Sequence, residues 1–191
     1  MKLQTKLSTK PSAVPSVSCT SSSYCVAVGG TQEGGDTVPL AEGWNGSKWT
    51  REVTPVPSVA PGGGGGQGGG AFDLLAVSCP STSSCTAVGD SGTVETWNGH
   101  AWRLKAPTSA SFTSIDCPSV RRCMAAGSSF SATGPLIEID TASGWRAVAQ
   151  PAGTSVTLST ISTRADGFTM VVGFDTGEQT IVPYSESELA A

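Results

Sequence analysis

This sequence carries little charge. Only 14% of its 191 residues are Asp, Glu, Lys or Arg, and eleven basic against fifteen acidic side chains leave a net charge of −4. No Lys/Arg-rich block or stripe occurs, so the electrostatic footprint of a nucleic-acid binder is missing. The small negative charge selects no particular cationic partner. Aromatic residues are sparse at 6%, with two tyrosines, and there is one histidine. No apolar run approaches the roughly 20 residues of a membrane-spanning helix. No stretch carries a 3.6-residue apolar period over a helix-sized window, which argues against a helical bundle. The N-terminal "MKLQTKLSTKPSAVP" has positive charge but no apolar core, so as written it is not a signal peptide.

What the chain does have is turns and repetition. It holds 24 glycines and 12 prolines, a profile of short strands joined by tight turns. Aligned on its cysteines it repeats itself. "VSCTSSSYCVAVG" occupies 17–29, "VSCPSTSSCTAVG" 77–89 and "IDCPSVRRCMAAG" 115–127; "ISTRADGFTMVVG" at 161–173 keeps the apolar positions with Thr163 and Thr169 in place of the cysteines. The copies share Gly29, Gly89, Gly127 and Gly173. A second block follows each of the first three: "LAEGWNGSKW", "TVETWNGHAW" and "LIEIDTASGW" end at Trp49, Trp102 and Trp145, with Glu42, Glu95 and Glu138 seven residues earlier. The long first spacing contains "PGGGGGQGGG" (61–70), read as a flexible insertion.

Each copy reads as four strands. One ends at the first cysteine, one begins at the second, a third alternates in period two ("TVETW"), and a fourth starts at the last Trp and is stopped by proline. Asn45-Gly46 and Asn98-Gly99 mark hairpin turns. Four antiparallel strands per repeat of about 40 residues predict an all-β propeller built of four-stranded blades. A β-sandwich is the runner-up and needs no internal period. The expected organisation is a single domain over 1–191, with blades at about 12–55, 71–107, 111–151 and 156–184. The last blade is completed by residues 2–10 if the ring closes. Otherwise the chain is part of a larger propeller or one half of a homodimer.

"CTAVGDSGTVETWNGHAW" resembles the bacterial BNR/YVTN-like propeller repeat. The cysteine-bearing pattern "VSC-x5-C-x-AVG … WnG-x-x-W" resembles disulfide-containing repeats of exported bacterial proteins. The resemblance covers about residues 15–180 and implies a propeller fold; propellers host unrelated activities, so it implies little about chemistry.

The cysteines form three pairs: Cys19 with Cys25, Cys79 with Cys85, and Cys117 with Cys123. Each pair flanks a five-residue polar loop between two predicted strands. Antiparallel pairing puts their Cα atoms about 5 Å apart, within disulfide reach. Free thiols and a metal site are the competing readings. Zinc favours shorter spacings and four convergent ligands, and no metal or other cofactor is expected. Disulfides persist in oxidising compartments, which points to an extracellular or cell-surface protein.

Trp44 with Trp49, and Trp97 with Trp102, flank their Asn-Gly turns and are expected to stack across strands. Their recurrence favours packing between blades over a sugar platform, and Asp140 stands where the third copy would repeat the first Trp. The three glutamates are expected to face solvent or bond a neighbouring loop rather than to form a glycosidase pair. His100 is expected in an exposed turn. No nucleophile elbow occurs, and the glycine run lacks the Lys-Ser/Thr of a phosphate loop. The reading is therefore non-catalytic: an exported module that binds a protein or glycan through loops on a rigid scaffold. A glycoside hydrolase or lyase and a structural repeat within a longer cell-surface protein are the alternatives.

Overall fold

The computed structural model describes residues 12–57, 72–105, 108, 110–130, 134–141, 144–149, 156–175 and 181–186. Four antiparallel sheets follow one another along the chain, all-β and arranged like propeller blades. The first holds β1 (Ser12–Ser21), β2 (Tyr24–Glu33), β3 (Asp36–Trp44) and β4 (Trp49–Glu52). The second holds β5 (Leu74–Ser81), β6 (Ser84–Gly89), β7 (Val94–Trp97) and β8 (Trp102–Leu104). The third holds β9 (Ala110–Ser119), β10 (Arg122–Ser129), β11 (Pro135–Thr141) and β12 (Gly144–Ala149). The fourth has three strands among the described residues, β13 (Val156–Thr163), β14 (Thr169–Asp175) and β15 (Ile181–Glu186). Within every sheet neighbouring strands are sequential neighbours. The closing strand expected from residues 2–10 and the insertion at 61–70 lie outside the described residues.

The sheets bury their faces against each other, and this is the hydrophobic core. Val26, Val28 and Ala41 of the first meet Leu74, Val77, Ala87 and Trp102 of the second. Ala76, Val88 and Val94 of the second meet Phe112, Ile115, Ala125 and Leu136 of the third. Met124, Ala126 and Ile137 of the third meet Leu158, Ile161 and Val171 of the fourth. Strand alternation produces this division. Successive residues of the middle strands point into opposite seams, and both seams are apolar.

The first strands β1, β5, β9 and β13 pack side by side. They are stapled by a recurring polar contact that is local to them. The N–H of Cys79 donates to Ser18 Oγ (3.0 Å) and that of Cys117 to Ser78 Oγ (3.0 Å), and that of Thr163 donates to Asp116 Oδ2. Two residues earlier along the strand, Val77 N–H donates to Ser16 Oγ and Ile161 N–H to Ser114 Oγ, each at 3.1 Å. The residue before each first cysteine thus serves the equivalent backbone position of the next blade. These bonds satisfy amides that the sheets' own ladders leave unpaired.

The recurrent glycine has a steric cause. A Cβ on Gly29, Gly89, Gly127 or Gly173 would lie 1.8, 1.8, 2.0 or 2.1 Å from the carbonyl oxygen of Ala13, Asp73, Ser111 or Thr157. Each of those carbonyls lies at the start of its blade's first strand, close to a shift in register. A bulge there pushes the carbonyl over the second strand, and only a residue without a side chain accepts it.

At the hairpin tips all three cysteine pairs are disulfide-bonded: Cys19 to Cys25, Cys79 to Cys85 and Cys117 to Cys123. The Cα–Cα distance is 4.0 Å in each, closer than the spacing of about 5 Å expected from strand pairing alone. The short covalent link draws the two backbones together. Cys25, Cys85 and Cys123, which open or nearly open the second strands, are buried, at 9%, 1% and 5% exposure. Cys85 joins the seam between the first and second blades, and Cys123 that between the second and third. The second and third bridges therefore close a loop and fill apolar core at once.

In the fourth blade Thr163 and Thr169 occupy the same register, and Thr169 Oγ1–H donates to Thr163 Oγ1 (3.2 Å). A neutral hydrogen bond stands where the other blades have a covalent bond. The double variant Thr163→Cys with Thr169→Cys is expected to form a fourth bridge and to stabilise the protein by about 2 kcal/mol through the shortened unfolded-state loop. Intact mass after alkylation, with and without reductant, checks the bond. A fall in melting temperature despite bond formation would contradict the equivalence of the two positions.

Candidate functional site

The three recurrent glutamates do not face solvent. Glu42, Glu95 and Glu138 are 2%, 0% and 7% exposed. Each sits on a third strand opposite an alanine, Ala27, Ala87 or Ala125, whose small side chain leaves room for it. By strand register Glu95 points into the seam with the first blade and Glu138 into the seam with the second. They therefore occupy separate seams and do not converge as a catalytic acid pair. Neither carboxylate oxygen of Glu95 has a hydrogen-bond partner. Burial raises the pKa of all three, and pushes that of Glu95 up to about 8. The sequence expectation failed because an alternating strand does not reveal that both its faces are covered.

The aromatic pairs stack across their turns. Trp44 and Trp49 have ring centroids 5.6 Å apart, and Trp97 and Trp102 are 5.7 Å apart at 42°. The turns are held by Asn side chains: Asn98 Oδ1 accepts from the N–H groups of His100 and Ala101, each at 3.0 Å, and Gly99 adopts φ 92°. His100 is exposed at this turn. The indole N–H groups of Trp44 and Trp97 donate to the carbonyls of Ser22 (3.1 Å) and Thr82 (3.2 Å), tying each third strand to its own blade's disulfide loop.

An open cleft of about 400 Å³ lies between the outer strands of the first and second blades. Glu52, Val53, Pro55, Trp97, His100 and Trp102 are among the residues that line it. Glu52 Oε2 accepts the Trp102 indole N–H at 2.6 Å. Burial raises the Glu52 pKa, and that hydrogen bond pulls it partly back. The Tyr24 hydroxyl, packed on the same seam, is buried beside the Trp97 indole. Its pKa is raised by burial and then by the charge of Glu52, with the neighbouring Trp97 tempering the rise. A second cleft of about 300 Å³ shares Glu52, Val53 and Thr54 and continues along β4 past Arg51 and Val56. Val53 and Val56 are 90% and 54% exposed.

One blade further on the same joint is built differently. Lys105 takes the strand position of Glu52, following β8 as Glu52 ends β4, and Asp140 takes that of Trp97, paired with Trp145 as Trp97 pairs with Trp102. Burial raises the Asp140 pKa and Lys105 lowers it. The Trp145 indole N–H is buried without a partner, whereas that of Trp102 has Glu52. A lysine cannot accept the indole proton. Sequence reasoning singled out the tryptophans and His100 but missed Glu52. It lies at a repeat position whose residue type changes from copy to copy, and only its placement against Trp102 marks it.

No protein-family model matches the chain, and no curated protein does. Among solved structures it is similar to "YCF48 bound to D1 peptide", at 13% identity and a TM-score of 0.49, over 93% of this chain and 54% of that one. It is also similar to the WD40 β-propeller domain of Doa1, at 12% identity and a TM-score of 0.44, over 95% of this chain and 71% of that one. The chain thus spans about half the length of the first.

Proposed function

We propose that the protein is a non-catalytic, exported binding module of the BNR/YVTN-like repeat type, and that it engages a protein or glycan ligand in the cleft between its first and second blades. The observation that carries this reading is the cleft itself. Two tryptophans, a proline and a valine surround one carboxylate at an open surface, the usual composition of a site with an apolar body and a few orienting polar groups. The cross-linked hairpins and stapled first strands give it a rigid frame, so the protein itself loses little freedom when a ligand binds. Three disulfides suggest an oxidising compartment, which supports an extracellular or cell-surface location.

The test is a panel of oligosaccharides and peptides followed by tryptophan fluorescence. A binding partner from the panel is expected to lose at least about tenfold in affinity with Trp97→Ala, the loss of one stacking surface. The melting temperature of that variant should move far less, because Trp97 is only partly buried. Turnover of a glycan that disappears in Glu52→Gln would instead establish the hydrolase reading. Binding unaffected by Trp97→Ala would place the ligand elsewhere.

A further inference from the structure

We infer that the cleft between the first two blades takes a primary ammonium on an aliphatic stem, a lysine side chain of a partner protein. This rests on reading the cleft as the binding site. Glu52 is a part-buried carboxylate whose described hydrogen bond comes from a neutral indole. Among the described residues the ion pairs are Arg51–Glu33 and Arg164–Asp166, and neither serves Glu52. Trp97 and Trp102 line the same cleft; Trp102 is buried in the seam, so the half-buried Trp97 is the ring that can meet a cation. Val53 and Pro55 offer apolar surface to a methylene stem.

The next joint shows what the place is shaped for. There Lys105 stands at the strand position of Glu52, near enough for its charge to lower the pKa of Asp140 on the following blade. In the first joint Glu52 stands in place of that lysine and Trp97 in place of that aspartate, so a carboxylate is present and, among the described residues, no ammonium pairs with it. A lysine from outside restores the missing charge and satisfies Glu52 without displacing Trp102, because a carboxylate accepts several hydrogen bonds. A neutral sugar gains only hydroxyl bonds here, without the opposite charge that the Glu52 carboxylate calls for.

The Trp102 indole N–H reports on Glu52 directly, so the experiment uses ¹H–¹⁵N spectra of the whole chain. Glu52→Gln keeps an acceptor for the indole and identifies its resonance. Titration with Nα-acetyl-lysine methylamide is expected to move that resonance saturably. The norleucine amide, which keeps the aliphatic stem without the ammonium, should not move it, and Glu52→Gln should weaken the lysine effect at least about tenfold. Equal responses to lysine and norleucine would overturn the inference, as would a tighter response to glucosamine. If the lysine amide fails but a neutral oligosaccharide perturbs Trp97 and Trp102, this inference falls and the binding cleft stands. If no probe perturbs them, both fall.

Discussion

Glu95→Gln is expected to make the protein more stable at pH 8 and to leave it nearly unchanged at pH 4.5. The folded-state pKa of Glu95 is pushed up to about 8 by burial, against an ordinary value of 4.5. Below pH 4.5 both the folded and unfolded chains hold the proton, and the favourable term is wholly present. Between 4.5 and 8 the unfolded chain has released a proton that the folded chain keeps, so stability falls as pH rises. Above about 8 the term is lost and a charge sits in the seam. The interval corresponds to at most about 5 kcal/mol, at roughly 1.4 kcal/mol per pH unit. The amide of glutamine never ionises and is almost the same size, so the variant lacks this slope. We expect a gain of about 2–3 kcal/mol at pH 8, allowing for residual cost of a buried amide. Glu42 and Glu138 shift in the same direction and add to the wild-type slope. Denaturant melts of both proteins from pH 4 to 9 give the comparison. Parallel pH curves would show that Glu95 is solvated or paired in solution.

The second large effect concerns glycine. Gly89→Ala would bring a methyl group to 1.8 Å from the Asp73 carbonyl oxygen and 2.9 Å from the Leu74 Cα, so the first and second strands of the blade must separate. The obstacle is backbone on both sides, which cannot rotate away. We expect a loss of about 3 kcal/mol or more, at the upper end of overpacking effects. Gly29→Ala, Gly127→Ala and Gly173→Ala should behave alike, because the equivalent carbonyl stands over each. Urea melts of Gly89→Ala against Ser128→Ala, an exposed strand residue, measure it. A change under about 0.5 kcal/mol, the range of ordinary surface substitutions, would mean that the bulge relaxes and the recurrence has another cause.

The strands and their order were readable in the sequence because strand formation here depends on near neighbours. Val26, Ala27 and Val28, or Thr93 through Trp97, declare an extended strand within five residues, and Asn98-Gly99 declares the turn. The cysteine pairing was readable for the same reason, since six residues of hairpin bring Cys19 to Cys25, Cys79 to Cys85 and Cys117 to Cys123. That the second sulfur of each bridge is buried was not, because its cover comes from outside the hairpin. The four-fold recurrence then implies that each sheet covers the next. Glu95 and Glu52 were hidden in the same way. Both are acids at strand positions, where period-two alternation predicts a wet face. Their surroundings come from another blade, 50 residues away for the Glu52–Trp102 contact. Likewise the glycines could be singled out by recurrence, but a turn and a close backbone approach look identical in one dimension.

The sequence by itself determined that this is an all-β chain of tandem four-stranded units, with cysteines at hairpin tips and tryptophans bracketing tight turns. Those properties follow from local torsion preferences and side-chain alternation. The tertiary structure alone decided which acids lose their water and which one remains at an open surface beside two indoles. Desolvation and charge interaction depend on what arrives from the neighbouring blade, and the joint between the first two blades differs from the next because Glu52 meets tryptophan where Lys105 stands within electrostatic reach of Asp140.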